Sequence, residues 1–112
     1  MSGALDMYIL GPLKKIKKEG FFEKLVTIFD EDSRRIYAEI SEADAAGESS
    51  KLEEAAHSLK SASSTIGATA VSSLAHELEL LGAGGTTSGA SEVLKQLENE
   101  LTQARDALKS LL

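Results

Sequence analysis

Apolar side chains recur every three or four positions through most of this chain, the period of a helix with one buried face. Phe22, Leu25, Val26, Phe29, Ile36, Ile40 and Ala43 form one such stripe; Asp32 and Ser33 interrupt it and leave room for a slight irregularity. Gly47 ends that helix and Glu48, Ser49 and Ser50 follow as a loop. Ser50 with Glu53 three residues later reads as a capping box that opens the next helix. Its stripe is Leu52, Ala55, Leu59, Ala62 and Ile66, and it ends near Gly67. Thr69 is placed to cap a helix that buries Val71, Leu74, Ala75, Leu78 and Leu81. Gly82, Gly84, Gly85, Thr86, Thr87, Ser88 and Gly89 read as a loop, and no Lys-Ser or Lys-Thr follows to make it a phosphate cradle. Leu94, Leu97, Leu101, Ala104, Leu108 and Leu111 then alternate three and four apart, as in a bundle seam.

The first residues are less regular. Leu5, Met7, Ile9 and Leu10 have no clean period, and Met1-Ser2-Gly3 reads as a flexible start or a cloning remnant. Gly11-Pro12 is the better helix start, because proline at the first helical position loses no needed N–H. A short helix through Leu13 and Ile16 then stops near Gly20. Four amphipathic helices with short connections predict an all-α fold, an antiparallel up-down-up-down four-helix bundle, with the short N-terminal helix capping one end. Residues 1–112 read as a single domain without internal repeats.

Composition narrows the function. The chain has 42% apolar residues, five aromatics (three Phe and two Tyr), one proline and no cysteine. That suffices for one modest core and removes disulfides, thiolate metal sites and thiol nucleophiles. No apolar run approaches a membrane span and no secretory signal is visible, so a cytoplasmic chain without membrane insertion is expected. Twelve basic against eighteen acidic residues give a net charge of −6, which disfavours nucleic-acid binding. Lys14, Lys15, Lys17 and Lys18 are the local exception, read as the solvated side of a short helix, with attraction of an acidic partner as the alternative.

Candidate chemistry centres on His57. At about 100° per residue, the stripe of its helix falls roughly 140–220° away from it. The imidazole therefore points to solvent, with Lys60 one turn on and Ser58, Ser61 and Ser64 as small neighbours. A neutral, exposed imidazole is a competent nucleophile, and Lys60 can neutralise oxygens of a phosphoryl group carried on it. Small residues beside it let another protein's backbone approach. By spacing alone, though, a lone surface histidine is usually inert. Glu79, next to buried Leu78, lies on a flank that can face this helix and accept an imidazole N–H; the plainer reading is a solvated glutamate. His76-Glu77-Leu78-Glu79-Leu80 lacks the second histidine of a HExxH site, so no metal is assigned and His76 reads as a surface residue. The acidic runs Glu53-Glu54 and Asp30-Glu31-Asp32 read as solvated faces.

Ala56-His57-Ser58-Leu59-Lys60-Ser61-Ala62, followed by Ile66-Gly67-Ala68, Leu74 and Leu78-Glu79, resembles the histidine-containing phosphotransfer (HPt) domain family. The family pattern runs approximately A-H-x-L-K-G, then G-A, then spaced leucines ending in L-E. Asp6, Leu13, Ile16, Phe22, Leu25, Phe29 and Gly47 agree more loosely. The resemblance implies a phosphorelay intermediate of two-component signalling. His57 would take a phosphoryl group on Nε2 from a receiver-domain aspartate and pass it to another receiver. Lys60 would help handle that group, and Glu79 would contact the imidazole. The chain would be a passive carrier with no cofactor of its own, Mg²⁺ belonging to the receiver. Its partners would be response-regulator receivers and a histidine or hybrid sensor kinase, and it would act as a monomer.

Two positions depart from the pattern. Ser61 replaces the usual glycine, where the receiver comes close, and Ala75 replaces a frequent cysteine. Two other classes fit the residues less well. A phosphate-free interaction module would have lost His57 or Lys60, and both are present. A kinase dimerisation segment would need an Arg-Thr-Pro type sequence after the histidine and an ATP-binding domain. The ends of the chain suit either a free-standing protein or the cytoplasmic end of a membrane-bound hybrid kinase.

Overall fold

The computed structural model describes residues 4–112; Met1, Ser2 and Gly3, read above as a flexible start, lie outside the described residues. The first helix starts on a carboxylate rather than on proline. Helix α1 (Met7–Lys14) is capped by Asp6, whose side chain accepts from the Tyr8 N–H at 2.9 Å. Pro12 therefore sits inside α1 instead of opening it, and the helix stops at Lys14, short of Ile16. A proline there forgoes the bond back to the Tyr8 carbonyl, a small loss so near the helix end.

Helix α2 (Phe21–Ala46) runs unbroken for 26 residues. The expected irregularity at Asp32 and Ser33 is absent because Ser33 takes a stripe position and is made to fit it. Its hydroxyl donates to the Asp30 carbonyl and accepts from Arg105 Nη1, so a fully buried polar side chain is satisfied. Helix α3 (Ser49–Thr65) begins on Glu48 with no side-chain cap, so the Ser50–Glu53 capping box does not form. The turn at Gly47 is closed by the Glu48 N–H on the Ala43 carbonyl, which commits Ser49 to the next helix.

Helix α4 (Thr69–Ala83) likewise starts one residue early, on Ala68 rather than Thr69. It also extends through Gly82, where the glycine-rich sequence predicts loop. A Cβ at Gly82 would lie 2.6 Å from both the Glu53 nitrogen and the Ser49 carbonyl oxygen. Glycine is there because the two helices nearly touch. Helix α5 (Ala90–Ser110) buries Leu94, Leu97, Leu101, Ala104 and Leu108, the seam as read, with Leu111 half-covered beyond its end.

Around the bundle α2 packs on α3, α3 on α4, α4 on α5 and α5 back on α2. Ser91 donates to Asp44 at 2.9 Å at one end, while Lys109 reaches Asp30 at 3.4 Å toward the other. Those two links run α2 and α5 antiparallel, and the short turns at Gly47 and Gly67 do the same for α2–α3 and α3–α4. Helix α1 lies over the α3–α4 turn. Its Asp6 N–H donates to the Gly67 carbonyl at 2.6 Å, and its Leu10 is buried in the core. Gly67 has φ +79°, and a Cβ on it would meet the Asp6 carbonyl oxygen at 2.8 Å, so both the turn and the docking of α1 require glycine. Among the described residues, no helix is long and apolar enough to cross a membrane.

Candidate functional site

Helix α3 holds His57 at mid-length, where both ends are pinned by neighbours and its register against α4 is set by Gly82. Its sequence gives α4 a flush surface: Ala56 and Ser63 are fully buried although neither belongs to the apolar stripe. The solvent sector around His57 is thus narrower than helical period alone suggests, because α4 covers one flank. The imidazole itself remains 60% exposed.

Across that flank stands Glu79 on α4, with only 16% of its side chain exposed. Its Oε2 lies 2.7 Å from His57 Nδ1, and its Oε1 lies 2.6 Å from Lys60 Nζ. His76, one turn earlier on α4, brings Nδ1 to 3.4 Å from the same Oε1. The Glu79 carboxyl is held at about 2, first by the hydrogen bond from Lys60 and then by that from His57. Partial desolvation works against them, and His76 and the Lys60 charge add smaller contributions.

That ionisation decides the tautomer of the ring. An ionised carboxylate can only accept, so His57 Nδ1 must carry a proton and donate it to Oε2. The lone pair of the neutral ring then lies on Nε2. Glu79 thereby orients the imidazole and leaves Nε2 as its one unprotonated, outward-facing nitrogen. Lys60 is not a free cation here; it spans from α3 to α4 and is ion-paired.

The serines divide between two sides of His57. Ser61 and Ser64 line a shallow polar groove with Lys60, Ser72, Ser73 and His76. Ser72 donates to the Lys60 carbonyl, so the Ser64 hydroxyl, 2.7 Å away, donates to Ser72. Ser58 faces the other way, onto a groove between α2 and α3 with Glu39, Glu54 and Ala55, and its hydroxyl donates to the Glu54 carbonyl. His76 is a surface residue, as expected, but it also joins the Glu79 carboxylate. Its three-residue spacing from Glu79 was the signal that the two could meet on one helix face.

This fold has relatives. The Hpt domain family model matches residues 24–107, three-quarters of the chain, and the chain belongs to that family. It is a phosphotransfer carrier, a phosphorelay intermediate of two-component signalling. Among solved structures it is similar to histidine-containing phosphotransfer protein B (HptB) of Pseudomonas aeruginosa PAO1. The two are 27% identical with a TM-score of 0.91, over 98% of this chain and 95% of that one. The maize protein ZmHP2 has the same fold at 23% identity and a TM-score of 0.86, over 97% of this chain and 89% of its own. The Medicago truncatula protein MtHPt2 does so at 24% and 0.85, over 97% and 77%. No curated protein matches the chain.

Proposed function

We propose that His57 Nε2 is the phosphoacceptor of this carrier. The observation that carries the reading is the 2.7 Å contact of His57 Nδ1 with an ionised, largely covered Glu79, on a ring that is mostly exposed. In the forward step the Nε2 lone pair attacks the phosphorus of a receiver's aspartyl phosphate. The Nε2–P bond forms, the P–O bond to the aspartate breaks, and the aspartate leaves as a carboxylate. The proton stays on Nδ1, where Glu79 stabilises the positive charge the ring acquires. Lys60 neutralises the phosphoryl oxygens. Return to a second receiver is the same path reversed.

The chain supplies the nucleophile and its orientation; the receiver supplies Mg²⁺ and most of the catalytic groups, so this chain has no autonomous activity and no cofactor of its own. Ser58, Ser61 and Ser64 border the ring on its open sides and form the surface on which the receiver seats. The partners are receiver domains and the histidine or hybrid kinase upstream of them, the site of action is cytoplasmic, and the chain works as a single monomeric domain.

The test is incubation with a phosphorylated receiver and Mg²⁺, followed by analysis of the label. Acid-labile, alkali-stable label is expected on the wild type and none on His57→Gln. Equal labelling of the two would sink the assignment.

A further inference from the structure

Glu79 Oε1 has two suitors. Lys60 Nζ holds it at 2.6 Å, while His76 Nδ1 stands at 3.4 Å, at the outer limit of a hydrogen bond. A carboxylate oxygen has room for both donors, so the longer contact is not forced by crowding. His76 and Lys60 line the same groove, His76 from α4 and Lys60 from α3. Lys60 has a flexible four-carbon stem; His76 sits on the same helix as Glu79, one turn away, and its reach to Oε1 does not depend on α3.

Phosphorylation changes what Lys60 faces. A phosphoryl group on the ring presents more negative charge and more acceptor oxygens than Glu79 does, and it sits out where the ring is exposed. Lys60 is drawn to it, and Oε1 then loses its strongest partner. A largely covered carboxylate with one oxygen unpaired is free to turn, and turning it releases His57 Nδ1 at the stage when the ring most needs its counter-charge.

We propose that His76 is a positioning residue that exchanges with Lys60: as Lys60 moves to the phosphoryl oxygens, His76 closes onto Glu79 Oε1 and keeps Oε2 on His57 Nδ1. This rests on His57 being the phosphoacceptor. Lys60 is thereby released to the phosphoryl group without the ring losing its orientation.

The experiment uses the whole chain with ¹⁵N-labelled histidine, phosphorylated from a receiver while ring resonances and label are followed together. The His76 Nδ1–H signal is expected to move toward a stronger hydrogen bond when label appears on His57. Lys60→Ala, which vacates Oε1 permanently, should move the same signal without any phosphate. His76→Leu should slow transfer about fivefold, the worth of one modest hydrogen bond. His76→Gln, which keeps an N–H donor, should restore part of that loss. His76 is exposed, so neither variant threatens the fold. If His57 takes up label while the His76 signal stays still, or His76→Leu transfers at the wild-type rate, the exchange is wrong and the phosphoacceptor stands. If no label reaches His57, both fall.

Discussion

At the scale of single residues, the site turns on one carboxylate held by three donors. Lys60 is the largest cause of the low Glu79 value, so Lys60→Ala should raise it from about 2 toward the ordinary carboxylate range, read by ¹³C NMR titration of the side-chain carboxyl. The sign follows from linkage. A depressed carboxylate contributes stability that is complete above its unfolded value and is lost as pH falls through the folded one. In the wild type that loss falls between roughly pH 4.5 and 2, and Glu79 stays an ionised acceptor across the neutral range. A second residue-scale outcome concerns Ser63, whose buried hydroxyl has no hydrogen-bond partner among the described residues. Ser63→Ala should raise stability by about 1 kcal/mol in urea denaturation, because the desolvated hydroxyl disappears and alanine favours the helix. Sequence reasoning could place Glu79 on the flank of Leu78 and His57 opposite the stripe. It could not see that Ala56 and Ser63 are covered, since that depends on which side of α3 its partner lies.

The helices were legible as elements, with Gly47 and Gly67 marking two of their ends, but the starts of α1, α3 and α4 were not. Buried stripes locate a helix by its middle, where packing decides; the first and last turns are decided by which backbone groups find partners. Asp6 outcompeted Pro12 as the start of α1, and Glu48 and Ala68 took the cap positions where Ser50 and Thr69 were expected. Gly82 misled in a more informative way. Beside other glycines it looked like loop, yet it is buried inside α4 because a side chain there would strike the backbone of α3. Gly82→Ala should therefore lower stability by about 1–3 kcal/mol despite the better helix propensity of alanine, as a shift of urea midpoint shows. Because the helices must part to admit the methyl group, the same variant should weaken the His57–Glu79 contact, seen as mixed tautomers by ¹⁵N NMR.

For the molecule as a whole, short connections between amphipathic helices were enough to foresee the antiparallel bundle and the capping role of the first helix. What they could not show is how α2 and α5, far apart in sequence, are tied. Asp30 gathers Arg34 from its own helix with Arg105 and Lys109 from α5. Partial burial pushes the Asp30 carboxyl up, but the hydrogen bond and charge of Arg34, joined by Lys109, outweigh it and hold it below the ordinary range. Its contribution is therefore present at neutral pH and fades as pH falls below about 4. Asp30→Asn should cost about 0.5–1 kcal/mol at pH 7 by urea denaturation, with the gap to wild type closing at pH 3.

The tight crossing at Gly82 has a further consequence for the ring of His57. With the spacing of the two backbones set by contact, the carboxylate must bridge a span of given length, and glutamate is the ruler cut to it. An acid on a stem one methylene shorter would end about 1.5 Å short of the imidazole. The site thus measures reach as well as charge, and a change that keeps the sign while altering the length would leave the imidazole present but unaimed.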